Sequence, residues 1–591
     1  MKIFKYTILV TALFLLSCND DFLERFPLDE VSNETFWNSE NDIINYNNNL
    51  YEIVKDDRTV PILMGLGEGP GVNFYDGLWW IDEMSDNLGA TTGRAREMYK
   101  VSTGNFNVEN NPRPFGYHPD GWEFVRAINF GLENYDRVPV AENIVNQYKG
   151  EARLFRGWFY AEKVTKFGDM QWIDKVLRTD SPELFGERDS RDFVMQKVLE
   201  DLNFAIANLP AEWGPPNDGQ EPGRVDKWVA LAVKSRVCLF EGTWRKYHGL
   251  SGANTWLQES VAASTELINT GGFSLYNTGN PMADYRYASS STTQAGNPEV
   301  IYWRKYEPLI NGHFASRLFL NYNGGATKSF VEDFLCDDGL PISLSPKYAG
   351  DAEIEDVFVN RDLRLRQCVL HPEDQDLLDY PNDPANTYPR LNGMAGGKRS
   401  NTGYHVVKHW NAADEQAPRN QHSVSPPCLR LGEVYLNFAE AKAELGTITQ
   451  ADLDMSINKL RDRVAMANLV LNPPMDPAHA NDGVSALIVE IRRERRVELF
   501  LEAHRYNDLR RWKQGKYLAA PVLGIRFDAA AEARYPGAAD QAVTTLVDGV
   551  PYIDIRKGTD FEPKFEDKMY LWPLPTNALS QNPNLGQNPD W

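Results

Sequence analysis

The clearest chemistry in this sequence belongs to one thiol near the N-terminus, that of Cys18. Lys2 and Lys5 precede an apolar run over 6–16, and the cysteine follows a Leu-Leu-Ser sequence directly. A positive segment, a short apolar run and a small residue before the cut are typical of a secretory signal. A thiol at the cut can carry a thioether-linked diacylglycerol, so the pattern predicts a lipoprotein signal peptide over 1–17. The alternative is an ordinary signal peptide with an incidental cysteine.

A lipid rather than a spanning helix is therefore expected to hold the chain at a membrane. The N-terminal apolar run is too short to cross about 30 Å of hydrocarbon, and no later stretch has the required length. Two or three acyl chains on one cysteine anchor firmly, whereas a single chain binds only marginally. The formal net charge of −22 argues against nucleic acid and against docking on anionic lipid headgroups.

The first candidate ligand site is the loop over 73–82, here called the first aromatic segment. It contains Tyr75, Trp79 and Trp80 in a chain that is 12% aromatic, with 15 Trp and 26 Tyr. Flat aromatic faces stack on the C–H faces of sugar rings and bury large areas at a small cost in side-chain entropy. Asp82 and Asp86 stand four residues apart, a spacing that equally suits capping and packing on a helix.

The second candidate ligand site runs over 303–323 and is here called the second aromatic segment. It includes Tyr306 and Tyr322, and an Asn-Gly-Gly sequence at 323–325 indicates a turn at its end. A turn there would place aromatic side chains at a loop tip. We expect Tyr75, Trp79, Trp80, Tyr306 and Tyr322 to be the residues that contact a ligand.

Motifs for catalysis, cofactors and metals are missing from the sequence. It contains neither a zinc-protease His-Glu-x-x-His nor a Gly-x-Ser-x-Gly elbow, and residues 392–398 only partly imitate a phosphate loop. We therefore expect a protein without enzymatic activity, cofactor or metal, although abundant carboxylates leave a glycosidase pair open. Four cysteines of the body lack any Cys-x-x-Cys spacing, so buried free thiols and disulfides both remain possible. They are Cys238, Cys336, Cys368 and Cys428.

The elements that must position these residues are predominantly helical. Apolar residues spaced three and four apart predict helices over 39–55, 122–136, 152–164, 190–208, 228–242, 255–269, 431–445, 450–467 and 484–503. Small residues on their apolar faces favour close pairing, as in a tetratricopeptide-like scaffold without a strict repeat. Short strand-like pieces appear at Glu299–Trp303 and His405–Val407. The Arg-rich stretch over 492–496 alternates with glutamates, which favours structural i,i+4 pairing over phosphate binding.

Between the helices lie long segments rich in Gly, Pro, Asn, Asp and aromatic residues, over 56–121, 270–427 and 515–591. Loops of this length in a compact domain are usually functional. The sequence therefore predicts one body over 18–591, in which a helical scaffold carries large loops.

A series of motifs follows in order along the chain: Asp21-Phe22-Leu23-Glu24, Thr35-Phe36-Trp37, Glu151 to Arg156 with Phe167-Gly168-Asp169, Glu241 to Tyr247, Asn297-Pro298-Glu299-Val300, Asp338 to Ile342, Arg430 to Gly446, Glu494 to Leu499, Arg505 to Trp512, Pro573-Leu574-Pro575 and Asn582 to Trp591. Together they resemble the SusD/RagB family of Bacteroidetes outer-membrane lipoproteins. Two positions depart from the pattern, Ala503 where the family has Gly and Asn507 where it has Phe.

The resemblance implies a mostly α, tetratricopeptide-like core with extracellular loops, which lies over a SusC-like TonB-dependent transporter. It implies a nutrient-binding lipoprotein on the outer face of the outer membrane, with an oligosaccharide as the expected ligand. Two alternatives stay open: a peptide-binding importer subunit of the RagB type, and a surface glycoside hydrolase.

Overall fold

The computed structural model describes residues 33–54, 77–89, 96–109, 117, 119–219, 221–317, 324–374, 388–394 and 397–591. Within these ranges the fold is mostly α, as the sequence predicts, and short strands join the connecting segments. The α-helices are α1 (Asn33–Phe36), α2 (Glu40–Val54), α3 (Leu78–Asp82), α4 (Arg96–Ser102), α5 (Pro119–Asn134), α6 (Glu142–Phe167), α7 (Arg191–Asn208), α8 (Lys227–His248), α9 (Ala253–Thr270), α10 (Asp284–Ser290), α11 (Lys328–Glu332), α12 (Arg364–Cys368), α13 (Ala412–Gln416), α14 (Leu431–Glu444), α15 (Gln450–Asp454), α16 (Ile457–Arg463), α17 (Ala486–Glu498), α18 (Arg505–Arg511), α19 (Ala529–Arg534) and α20 (Thr576–Gln581).

The strands are short and form small antiparallel sheets. They are β1 (Leu88–Gly89), β2 (Val300–Trp303), β3 (Gly325–Ala326), β4 (Pro427–Arg430), β5 (Leu523–Arg526), β6 (Thr544–Val547) and β7 (Val550–Asp554). Strand β1 pairs with β3, β2 pairs with β4, and β7 lies between β5 and β6. The β1–β3 and β2–β4 pairs join residues that are far apart in sequence, whereas the β5–β7–β6 sheet lies within the segment 515–591.

The scaffold is a succession of neighbouring helices in which α6, α7, α8, α9, α14 and α17 each contact the next. Close approach is built into the sequence at Gly242, on the face of α8 that meets α9. A Cβ there would lie 2.7 Å from Leu257 Cγ and 3.0 Å from the Leu257 nitrogen. Asp226 caps the start of helix α8, and its side chain accepts hydrogen bonds from the nitrogens of Trp228 and Val229. The predicted tetratricopeptide-like pairing of helices is therefore confirmed.

Most of the predicted helices are confirmed, and most of their observed ends differ by a few residues, although α6 already begins at Glu142 and not at 152. The prediction of a single helix over 450–467 is wrong, because the chain forms α15 and α16 instead. The hydroxyl of Ser456 donates to the Asp452 carbonyl at 2.5 Å, a local bond that competes with the regular helical pattern. The helix expected over 484–503 ends at Glu498, and positive φ angles at Leu501 and Ala503 follow it.

Two further expectations need correction in the connecting segments. The strand-like piece His405–Val407 forms only an isolated bridge, between Val406 and Val369. The segment 515–591 contains the β5–β7–β6 sheet, which its irregular composition did not predict. Asp548 and Gly549 have the positive φ angles that a two-residue hairpin turn between β6 and β7 requires.

The four cysteines of the body are free and buried: Cys238, Cys336, Cys368 and Cys428. Of the two alternatives that their spacing left open, free thiols are therefore the correct one. No helix in the described ranges has both the length and the apolar character that crossing a membrane requires.

Charged side chains bind the scaffold together from inside. Arg153 and Arg156 of α6 both pair with the buried carboxylate of Asp201 in α7, at 2.6 and 2.7 Å. Arg236 of α8 pairs with Glu433 of α14 at 2.6 Å. A guanidinium can satisfy both oxygens of one carboxylate, so each contact joins two helices with a defined geometry.

The structural interpretation of the Arg-rich stretch over 492–496 is correct, but the expected i,i+4 partners are wrong. Helix α17 is buried, and most of its charged groups bind residues from other elements. Arg495 donates to Asp508 at 2.8 Å, and Glu494 accepts from Arg461 at 2.8 Å. An isolated helix would pair these groups with one another, whereas burial on several sides places other partners within reach.

Candidate functional site

Helix α3 carries part of the first aromatic segment, and two of its residues fasten it to the core. Leu78 and Ile81, three positions apart, are both buried. Trp79 and Trp80 lie on this helix, although their side chains are outside the described part of the structure. Tyr75 lies outside the described residues altogether. The structure thus gives the backbone positions of Trp79 and Trp80, two of the three ligand contacts expected in the first aromatic segment.

Asp82, the last residue of α3, is a structural carboxylate. Its Oδ2 accepts from the Leu501 nitrogen at 2.7 Å and from Asn87 Nδ2 at 3.1 Å, and only 1% of the residue is exposed. Burial raises the pKa of Asp82 to about 6, although both hydrogen bonds favour the charged form. A group this inaccessible supports the helix end and cannot reach a bound ligand.

A chain of buried ion pairs continues from Asp86 into the scaffold. Arg505 donates to both oxygens of Asp86 at 2.8 and 2.9 Å, and Arg496 lies 3.0 Å from the same carboxylate. Arg496 also donates to Asp333 at 2.6 Å, and the His479 ring lies 3.4 Å from Asp333. The segment after α3 is therefore fixed to α17 and α18 by charge as well as by apolar packing.

His479, which belongs to this series of ion pairs, makes the stability of the protein depend on pH. Burial opposes its charged form, but hydrogen bonds to Asp333 and Asp482 raise the pKa of His479 to about 9. This folded-state value is above the unfolded value near 6.5, so the stabilisation is complete below about pH 6.5 and is lost as the pH rises to 9. We expect the free energy of unfolding to fall by about 3 kcal/mol over that interval.

Urea unfolding of the wild-type protein and of His479→Gln at pH 6, 7.5 and 9 measures this effect. The variant should be less stable than the wild type at pH 6, and the difference should shrink toward zero at pH 9. A difference that does not change with pH would contradict the proposed charging of His479.

Strands β1 and β3 bring the two aromatic segments together. Leu88 pairs with Ala326 and Gly89 pairs with Gly325, so the chain shortly after the first segment runs beside the chain that directly follows the second. A Cβ at Gly325 would collide with the hydroxyl groups of Thr402 and Ser400, so only glycine permits this approach. The strands that follow the two segments are therefore neighbours in the fold.

Within the second aromatic segment, Tyr306 does not present a ring to solvent. Only 2% of the residue is exposed, and its ring makes an edge contact with His313 at 4.7 Å between centroids. The Arg304 guanidinium lies 5.3 Å from the ring centroid. The expectation that Tyr306 stands at a loop tip is therefore corrected, because its ring is part of the core. Tyr322 lies outside the described residues.

In the second aromatic segment, Phe314 lies beside two arginines that the sequence did not single out. The half-buried ring of Phe314 has the guanidinium carbons of Arg317 and Arg419 at 5.7 and 5.5 Å from its centroid. An antiparallel bridge between His313 and His422 brings these distant positions together. Sequence spacing carries no signal for this contact, because Arg419 comes about a hundred residues after the others.

These features define a mostly α scaffold of stacked helices with two aromatic-bearing segments joined at one small strand pair. Residues 311–591 match the sequence model of the SusD family. A SusD-like protein of Bacteroides ovatus is 22% identical over 100% of this chain and 98% of its own length. SusD-like protein P25 of Formosa agariphila is 24% identical over 87% of this chain and 90% of its own.

Solved structures share the same architecture. A SusD-like carbohydrate-binding protein from Bacteroides fragilis has a TM-score of 0.71 at 21% identity, covering 93% of this chain and 100% of that protein. A laminarin-binding SusD-like protein has a TM-score of 0.57 at 17% identity, covering 94% of this chain and 100% of that protein. The family model, the SusD-like relatives and the SusD-like solved structures all support the resemblance to the SusD/RagB family that the motifs carry.

Proposed function

We propose that this protein captures a glycan, in the form of an oligosaccharide, outside the cell and delivers it to a SusC-like TonB-dependent transporter. The observation that supports the proposal is the β1–β3 pair, which joins the chain after the first aromatic segment to the chain after the second. Neighbouring aromatic segments suit a ligand made of repeated sugar rings. The family supports the same class, since one relative in fold is a carbohydrate-binding protein and another binds laminarin.

The role is one of binding without turnover. A glycosidase needs two accessible carboxyl groups roughly 5–10 Å apart across a cleft. In the described part of the first aromatic segment and its continuation, Asp82 and Asp86 are both buried against Asn87, Arg496 and Arg505. The raised pKa of Asp82 resembles that of a general acid, but its inaccessibility argues for a structural role.

The anchor is proposed at Cys18, which lies outside the described residues. A diacylglycerol on its thiol would keep the body at the extracellular face of the outer membrane, within reach of the transporter. Mass spectrometry of the mature protein tests this: the first residue should be Cys18 carrying the mass of its acyl chains. An unmodified N-terminus beyond residue 18 would contradict it.

A rigid apolar tip in the second aromatic segment suits contact with the transporter. Leu309 and Ile310 are 83% and 77% exposed, and Leu309 has a φ of 69°, which is unfavourable for this residue type. Asn311 holds the turn by accepting from the Glu307 nitrogen at 2.7 Å and donating to the Lys305 carbonyl at 2.9 Å. Large aliphatic side chains fixed in solvent are typical of a surface that a partner covers.

Replacing both tip residues with serine should weaken the complex with the transporter. We expect Leu309→Ser with Ile310→Ser to reduce co-purification of the co-expressed transporter at least tenfold. The matched control changes two other exposed aliphatic residues, Leu250 and Val359, to serine. Equal recovery of the transporter with the tip variant and the control would refute this role of the tip.

The ligand class is tested by screening the purified protein against neutral and acidic oligosaccharides and against peptide libraries. The proposal predicts saturable binding to at least one oligosaccharide and no binding to peptides. Binding to peptides alone would favour the RagB-type alternative.

A further inference from the structure

Two arginines lie over one aromatic ring at the surface of the protein. Arg317 and Arg419 are both exposed, and their guanidinium carbons lie 5.7 and 5.5 Å from the centroid of the half-buried Phe314 ring. The formal net charge of the chain is −22, so two exposed cations on one ring depart from the overall charge of the protein. We call Phe314, Arg317 and Arg419 the arginine cluster.

The backbone fixes Arg419 beside this ring. The Gln421 nitrogen donates to the Pro418 carbonyl at 3.1 Å, which closes a tight turn with Arg419 at its corner. Asn420 follows with a φ of 65°, a left-handed conformation that asparagine adopts more readily than most residues. Gly312 lets this turn lie against the second aromatic segment, because a Cβ at that position would collide with the Asn420 carbonyl oxygen.

The ring that supports the two arginines is also held in place. Backbone hydrogen bonds of 3.1 and 3.3 Å join His313 and His422 in both directions. Nδ1 of His313 accepts from the Ala315 nitrogen at 2.9 Å, and its Nε2 donates to the Val424 carbonyl at 2.9 Å. The His422 and Phe314 rings lie 5.3 Å apart between centroids. Phe314 is therefore a rigid support for the two guanidinium groups.

Two carboxylates close to this region are already bound inside the protein. Asp414 and Glu415 both interact electrostatically with His422, and each residue is 4% exposed. Asp414 Oδ2 accepts from the Val424 nitrogen at 2.7 Å, and Glu415 Oε1 lies 2.6 Å from the Lys398 ammonium group. These negative charges are therefore buried, whereas the guanidinium groups of the arginine cluster lie at the surface, where an anion can reach them.

The chemistry of a guanidinium group defines the ligand that suits the arginine cluster. It has five N–H donors in a planar fork, so a partner on one edge leaves donors for a second acceptor. It binds carboxylates and tetrahedral anions such as sulfate through paired hydrogen bonds. A guanidinium that already rests on an aromatic ring loses less side-chain freedom when it binds. The arginine cluster therefore fits a ligand that carries anionic oxygen groups.

We propose that Arg317 and Arg419 bind the carboxylate or sulfate groups of an acidic oligosaccharide. This inference rests on the proposed function and adds to it the charge of the glycan, which is a polyuronate or a sulfated chain. Phe314 is a positioning residue, because it holds the guanidinium groups and leaves the anion to them. The net charge of −22 disfavours contact of an acidic chain with the rest of the surface, so binding is directed to the arginine cluster.

Isothermal titration with paired saccharides tests the charge of the ligand. The panel contains oligogalacturonates, alginate oligosaccharides and sulfated galactans, together with the neutral form of each made by carboxyl reduction or desulfation. The wild type should bind at least one acidic saccharide about tenfold or more tightly than its neutral form, and the affinity should fall with rising salt concentration. The pair that shows the preference distinguishes a carboxylate from a sulfate ligand.

Substitutions in the arginine cluster test which residues recognise the charge. Arg317→Gln and Arg419→Gln should each lower the affinity for the acidic saccharide about tenfold, and the double variant should lose the preference over the neutral form. Phe314→Leu should weaken binding severalfold but keep its salt dependence, because both charges remain. The matched control is Arg178→Gln, at an exposed arginine in the connection between α6 and α7, which should bind like the wild type. Thermal unfolding confirms that each variant is folded.

The results separate this inference from the proposed function. An acidic preference that the double arginine variant loses and Arg178→Gln keeps would support the inference. If a neutral saccharide binds as tightly as every acidic one, or if the double variant keeps the acidic preference, the inference is refuted and the proposed function stands. If no saccharide binds the wild type, or if only acidic peptides bind, both proposals fail.

Discussion

Replacing Glu498 with glutamine is expected to lower the free energy of unfolding by about 3–5 kcal/mol, a large part of the stability of a typical domain. This carboxylate is fully buried at the end of α17 and accepts from three arginines. Arg430 and Arg463 donate to Oε1 at 2.7 and 2.5 Å, and Arg364 donates to Oε2 at 2.9 Å. Burial alone would raise the pKa of Glu498, but the guanidinium groups of Arg463, Arg430 and Arg364 hold it well below its ordinary value.

The size of the effect follows from what the substitution leaves behind. Glutamine keeps the shape but removes the negative charge, so the three buried guanidinium groups lose a shared counter-ion. Glu299 and Glu502 still pair with Arg430 at 2.8 and 2.7 Å, which limits the loss. Urea unfolding at pH 7 measures the change.

A surface ion pair provides the matched control for Glu498→Gln. Glu353 pairs with Arg534 at the surface, and Glu353→Gln should change the stability by less than about 0.5 kcal/mol. Equal effects of the two substitutions would show that the buried network does not stabilise the fold as described.

Replacement of the adjacent residues Trp79 and Trp80 is expected to remove most of the glycan affinity. Trp79→Ala with Trp80→Ala should weaken oligosaccharide binding at least tenfold, or about 1.4 kcal/mol, because tryptophan contributes large contact areas in binding sites. The fold should persist, since the buried anchors of α3 are Leu78 and Ile81. Isothermal titration measures affinity, and thermal unfolding confirms that the variant is folded.

The control for this prediction is an exposed aromatic residue outside both aromatic segments. Phe185 lies in the connection between α6 and α7 and is exposed. Phe185→Ala should leave affinity unchanged. Full affinity in the tryptophan variant would exclude the first aromatic segment from the ligand site. It would favour Phe314 and its two neighbouring arginines as the place where the glycan binds.

Periodic apolar residues and local capping predicted the helical scaffold well. Helix α7 was expected over 190–208 and spans Arg191–Asn208, because Ser190 caps it with a bond to the Phe193 nitrogen. Where a local side-chain bond competed with the helix, as at Ser456, the pattern was misleading. The β6–β7 hairpin was missed although it was predictable, since the Asp548-Gly549 pair between β-prone residues is typical of a two-residue turn.

The candidate site was only partly accessible to sequence reasoning, for a physical reason. Aromatic content indicated both segments, but β1 and β3 are two residues long and have no detectable period. Burial of Tyr306, the Arg419 contact with Phe314 and the partners of Glu498 all depend on residues distant in sequence. Such contacts are set by packing, so they appear only when the elements are assembled.

The central claim is that this helical body binds a glycan and leaves it intact. The most direct measurement is isothermal titration of the purified protein with the oligosaccharide selected by screening, followed by chromatography of the recovered saccharide. The account predicts saturable binding and recovery of the saccharide at its original length. Absence of binding to every glycan tested, or accumulation of shorter products, would contradict it.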